Sequence, residues 1–150
     1  MMNRGLAAAQ IALEHSQVRL AINDQIEMLR FARNAYVANP ASPSSVQWAA
    51  VVAASDQQAI TYDQTCNVSG SKQGFYMTKS ASSVARNTYT PNSPTAVASA
   101  GSGLWIESVL SPAAITPAYV DFVIRACWQG SGSTGQQRTV TAVRVYDPSR

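Results

Sequence analysis

MMNRGLAAAQIALEHSQVRLAINDQIEMLRFARNAY, residues 1–36, decides the fold. From residue 3 to residue 38 there is no proline, and the only glycine is Gly5. Alanine, leucine, glutamine, glutamate and arginine dominate, and all of them lose little on entering a helix. The stretch predicts one continuous helix of about 50 Å at ~1.5 Å per residue, far longer than a usual globular helix. Asn39-Pro40 ends it, because proline has no N–H to donate and disfavours helical geometry in the residue before it. At the front there is no capping residue, and apolar side chains crowd the first turns.

Residues placed ~100° apart form two apolar stripes. Ile11, Val18, Ile22, Leu29 and Tyr36 fall together, flanked by Ile26 and Ala32. Roughly opposite lie Leu6, Leu13, Leu20 and Phe31, with Met28 and Ala35 close by. Glu14, Arg19, Glu27, Arg30 and Arg33 lie mainly between the stripes. A helix lying on its own domain needs one apolar face, so the second stripe requires a partner. Periodicity leaves three arrangements open: a helix sandwiched inside the domain, a coiled-coil dimer with imperfect heptads, or a helix docked on one face and assembled through the other.

The remaining chain reads as a head, residues 39–150, following a stalk, residues 1–38, within one domain of 150 residues. PASPSS at 40–45 is a linker in which Ser44 or Ser45 caps a second helix over 46–55, with Trp48 in the core. Residues 60–74 read as loop, and GFYMT at 74–78 as a short strand. Residues 80–103, rich in serine, proline and glycine, predict a long surface loop with room for a short strand. LWIESVL at 104–110 is a strand. AYVDFVIRACW at 118–128 alternates, with Val120, Phe122, Ile124, Ala126 and Trp128 on one side. RTVTAVRVYD at 138–147 pairs with it as an antiparallel hairpin, with Arg125 and Arg144 facing solvent near Asp121. A long helix laid over an antiparallel sheet is an α+β plan.

Charge and chemistry narrow the function. A net charge of +3 with no basic run does not by itself imply nucleic-acid binding. No stretch of about 20 apolar residues spans a membrane, and no secretory signal precedes the helix. The two cysteines, Cys66 and Cys127, do not form a CxxC pair, and the only histidine is His15, so the inventory argues against a metal site. A disulfide in an oxidising compartment is the simplest account of the cysteines, with two buried thiols as the alternative. GxSxG, HExxH and Walker-type loops are absent, and the carboxylates are scattered, which speaks against an enzyme. His15 reads as a solvated side chain between the stripes. Lys72, Phe75, Tyr76, Lys79, Arg86 and Tyr89 interleave cations and aromatics, a mixture that grips single-stranded DNA or simply solubilises an edge strand and loop.

Taken together, the uncapped helix RGLAAAQIALEHSQVRLAINDQIEMLRFARNAY, its position before an antiparallel sheet, Cys127 within DFVIRACW with an earlier partner cysteine, and the ending TVTAVRVYDP resemble a type IV pilin. The likeness is to a minor pilin of the pilus-modification type, or to the related pseudopilins of type II secretion. The resemblance implies a pilin-like fold and a structural, non-enzymatic subunit of a bacterial surface filament. Such subunits act in filament assembly or initiation, with adhesion, motility or DNA uptake as outcomes. Its partners would be other pilin subunits and the pilus assembly machinery, with a host-cell surface or DNA as a candidate ligand through Lys72, Lys79 and Arg86.

Family members begin with an apolar membrane helix, cut by a prepilin peptidase, methylated and followed closely by a glutamate. None of these features matches a position in residues 1–150, so the resemblance implies an upstream membrane half of the helix, held in the cytoplasmic membrane before assembly. Leu6, Leu13 and Leu20 would then face the filament, and Ile11, Val18, Ile22, Ile26, Leu29 and Tyr36 would dock the sheet, unless the faces are exchanged. No cofactor is implied. The calcium common in pseudopilins has only Asp147 to meet it in this tail. A secreted binding module with a helical dimerisation stalk is the reading from a different class.

Overall fold

A computed structural model of the chain describes residues 2–55, 66, 74–79, 89–92, 103–131 and 135–150. Helix α1 (Met2–Ala38) leads through a 3₁₀ turn (Pro43–Ser45) into α2 (Val46–Ala53). Five strands follow: β1 (Tyr76–Lys79), β2 (Tyr89–Asn92), β3 (Gly103–Leu110), β4 (Tyr119–Gln129) and β5 (Gln136–Tyr146). β3, β4 and β5 form an antiparallel sheet with β4 in the centre, and β1 and β2 form a separate antiparallel pair. The architecture is α+β, with the long N-terminal helix packed on the C-terminal sheet.

The core forms where α1 crosses the sheet. Ile22, Ile26, Leu29 and Ala32 are buried against the inner face of β4, made by Val120, Phe122, Ile124 and Ala126. Trp48 and Val51 of α2, with Met77 of β1 and Phe75 just before it, close the same cluster, and Val18, Met28, Tyr36 and Val143 pack at its margin. The ring of Phe122 meets Trp48 and Phe75 edge-on at 6.4 and 6.5 Å, the geometry that aromatic quadrupoles favour.

Two glutamines connect the helices to the small sheet. Gln25 of α1 accepts the Met77 N–H at 2.7 Å and donates to the Met77 carbonyl at 3.1 Å. Its amide thus pairs with a backbone as a neighbouring strand would. Gln47 of α2 accepts the Tyr89 N–H at 2.7 Å. Both side chains are buried, and buried backbone groups left unpaired are costly. Gln25→Leu should therefore destabilise the chain by about 2–3 kcal/mol in urea unfolding, since it orphans a donor and an acceptor together; a change below about 0.5 kcal/mol would show that water replaces the amide. The small sheet also touches the large one through Phe75 and Ile106, which exchange backbone hydrogen bonds of 2.9 and 2.6 Å. Gly74 precedes this bridge because a Cβ there would come within 2.8 Å of the buried Trp105 ring.

Two sequence expectations change. Ser45 occupies the N-cap of α2, but its hydroxyl turns back, 2.6 Å from the carbonyl oxygens of Pro40 and Ser42, and stabilises the incoming turn instead of the helix end. Arg125 does not face solvent. It is 7% exposed, and its Nε lies 3.1 Å from Glu107 Oε1, which also accepts the Trp105 indole N–H at 3.1 Å. The outer face of β4 is covered here: Trp105, Cys66 and Cys127 form a second buried cluster, and Val123 is buried beside it. Cys66 and Cys127 are disulfide-bonded. Arg144 does lie beside Asp121, forked onto its two carboxylate oxygens at 2.7 and 2.8 Å and stacked 3.7 Å above the Tyr119 ring. The hydrogen bond to Asp121 raises the Arg144 pKa further.

The chain end is tied down by Asp147. This buried carboxylate accepts the Trp48 indole N–H at 2.9 Å, the Ser149 N–H and hydroxyl, and Arg150 Nε at 2.8 Å. Burial pushes its pKa up, but the bonds from Ser149, Trp48 and Arg150 outweigh burial and hold it below the ordinary value. A carboxylate with a lowered native pKa stabilises the fold above its unfolded pKa, and that stability is lost as pH falls through the native one. The urea midpoint should thus drop as the pH is taken from 5 to about 3, and Asp147→Asn should lower it at pH 7 while flattening the acid slope. An unchanged slope in the variant would assign acid sensitivity to other carboxylates.

Candidate assembly surface

Whether α1 offers a second face depends on where the head stops. Residues 5–13 are all exposed, so about 14 Å of helix at ~1.5 Å per residue runs beyond the head. Contacts with the head begin at the next residue. Glu14 accepts the Ser131 N–H at 3.1 Å, and hydrogen bonding from the Ser131 side chain and then its N–H lowers the Glu14 pKa. His15 stays exposed, as expected, with its ring edge-on to Trp128 at 5.2 Å. From there the docking stripe sinks inward: Val18 is half-buried, Ile22 is 3% exposed and Leu29 fully buried. Ile26 is buried and Tyr36 packs at the core margin. Ile11 is the exception in this set. It is 41% exposed, because it precedes the first residues that the sheet reaches, although its helical phase is right.

The opposite stripe stays open. Leu6, Leu13 and Leu20 are 67%, 58% and 63% exposed. Their flanking positions Ala9, Gln10, Ser16 and Gln17 carry no charge and are exposed too. On the same helix face, Phe31 meets Tyr89 of β2 edge-on at 5.4 Å. Between them and Asp24 opens a groove of about 400 Å³.

Comparison of the chain with protein-family models, curated proteins and solved structures finds no match. Function must therefore be argued from the residues.

Of the cation–aromatic mixture, the described residues do not form one exposed surface. Phe75 is a core residue, and Tyr89 turns its ring towards Phe31. Lys79 is exposed at the end of β1, whereas Lys72 and Arg86 lie outside the described residues. Among the described residues no cluster of His, Cys, Asp and Glu is arranged to hold a metal ion. No helix among them is long and apolar enough to cross a membrane.

Proposed function

We propose that this chain is a type IV pilin-like minor subunit, a structural component of a bacterial surface filament. The observation that carries the reading is the division of labour on one helix: Ile22, Ile26 and Leu29 buried against the head, and Leu6, Leu13 and Leu20 exposed along the opposite stripe. Water-exposed leucines in a row have no structural use within the domain, and packing against other helices would bury them at roughly 1.5–3 kcal/mol each. The disulfide and the long helix before an antiparallel sheet agree with the same reading. The site is a packing surface, not a catalytic one. Its partners are other pilin subunits and the assembly machinery, and its place is the filament on the cell surface.

Leu6, Leu13 and Leu20 are also seven residues apart, which favours a second reading, a helical dimerisation stalk. Three residues on from each leucine stand Ala9, Ser16 and Asn23, a poor second seam position, and this weakens the coiled-coil case. Shearing filaments from cells that make an epitope-tagged chain separates the readings. A filament subunit appears in the sheared fraction, and Leu13→Asp removes it. A stalked binding module is absent from that fraction and sediments as a dimer.

A further inference from the structure

We propose that the groove between α1 and β2 is a binding site for an amphipathic cation, namely an arginine or lysine side chain presented by a protein that lies along α1. Its volume of about 400 Å³ falls within the range of about 300–1,000 Å³ usual for ligand sites. The wall is mixed in the way such a side chain requires. Met28, Phe31 and Tyr89 supply apolar and aromatic surface for an aliphatic stem. Phe31 and Tyr89, their rings edge-on at 5.4 Å, both line the groove, and aromatic rings attract a cationic head.

The charges select the sign. Two carboxylates, Asp24 and Glu27, line the groove with one guanidinium, Arg30. Arg30 is already paired with Glu27 at 2.9 Å. Asp24 is exposed and makes no hydrogen bond or ion pair among the described residues, so it is the group left to receive a donor. An anion would meet Asp24 unfavourably. A neutral apolar ligand would leave it unused.

Continuity selects a protein as the source. Asp24 and Phe31 lie within about 40° of Leu6, Leu13 and Leu20 around α1, at ~100° per residue. A chain packed along the leucines therefore passes over the groove and can lower a basic residue into it. This holds whether or not the chain is a filament subunit.

The test is a titration of ¹⁵N-labelled protein with N-butylguanidinium, with n-butanol and butyrate as controls. Amide shifts should move at Asp24, Phe31 and Tyr89 with butylguanidinium, weaken as salt rises, and fall at least tenfold in affinity in Asp24→Asn. This exposed substitution should leave the urea midpoint unchanged. The peptide acetyl-Ala-Leu-Arg-Leu-Ala-amide should then bind at least tenfold more tightly than butylguanidinium and displace it. Equal binding of butanol, or insensitivity to Asp24→Asn, would overturn the cation site. A peptide that binds no better than the fragment would overturn the protein source.

Discussion

Ile22→Asp should unfold the chain, and Leu13→Asp should not. Ile22 sits in the core between α1 and the inner face of β4. A carboxylate placed there loses its hydration and finds no cation in the cluster of apolar side chains around it. The cost is about 4 kcal/mol or more, comparable with the whole stability of an ordinary domain, about 5–15 kcal/mol. Circular dichroism at 25 °C should show lost tertiary signal, or a urea midpoint moved close to zero. Leu13 is 58% exposed, and its replacement should change stability by at most about 0.5 kcal/mol. On the filament reading the order reverses in cells: a folded Leu13→Asp chain should fail to enter filaments. Equal effects of the two changes on folding would mean that both stripes are docked, and the assembly surface would vanish.

The second large effect is expected from the disulfide. Cys66 and Cys127 are 61 residues apart in sequence, and closing a loop of that size restricts the unfolded chain by about 4 kcal/mol in the loop-entropy model. The bond anchors the upstream segment to the far end of β4, beside the buried Trp105. The Cys66→Ser/Cys127→Ser double variant should unfold roughly 10 °C lower than the parent, given about 2–4 °C per kcal/mol for a domain of this size. Reductant should lower the parent to the same temperature and leave the variant unmoved. A parent insensitive to reductant would show that the thiols do not bridge in solution. A variant as stable as the parent would show that the unfolded chain is already compact.

The elements with the strongest periodicity were legible in the sequence. α1, β3, β4 and β5 begin and end within a few residues of where proline, glycine and alternation place them. What the sequence could not show is how far one element reaches along another. The phase of Ile11 matches Ile22 and Leu29, yet only the extent of the sheet decides that Ile11 stays in water.

Alternation was similarly blind to double coverage. Arg125 stands on the side of β4 opposite Phe122 and Ile124, which reads as a solvent face until Trp105 and the disulfide are brought over it. Gln25 and Gln47 look like surface residues in a helix, because their partners, Met77 and Tyr89, lie 52 and 42 residues away. The groove was hidden for the same reason: Phe31 and Tyr89 meet only when β2 is laid beside α1. The leucine stripe was plain from spacing, but its exposure was not, because a helix sandwiched inside the domain fits the same periodicity.

The measurement that tests the filament reading most directly is the N-terminal sequence and intact mass of the protein isolated from its native cells. A processed pilin-like subunit carries an apolar segment of about 20–25 residues ahead of the helix described here, beginning with a methylated residue and followed closely by glutamate. A mature protein whose first residue is Met1, or one trimmed only of a secretory signal, would contradict it and leave α1 as a stalk.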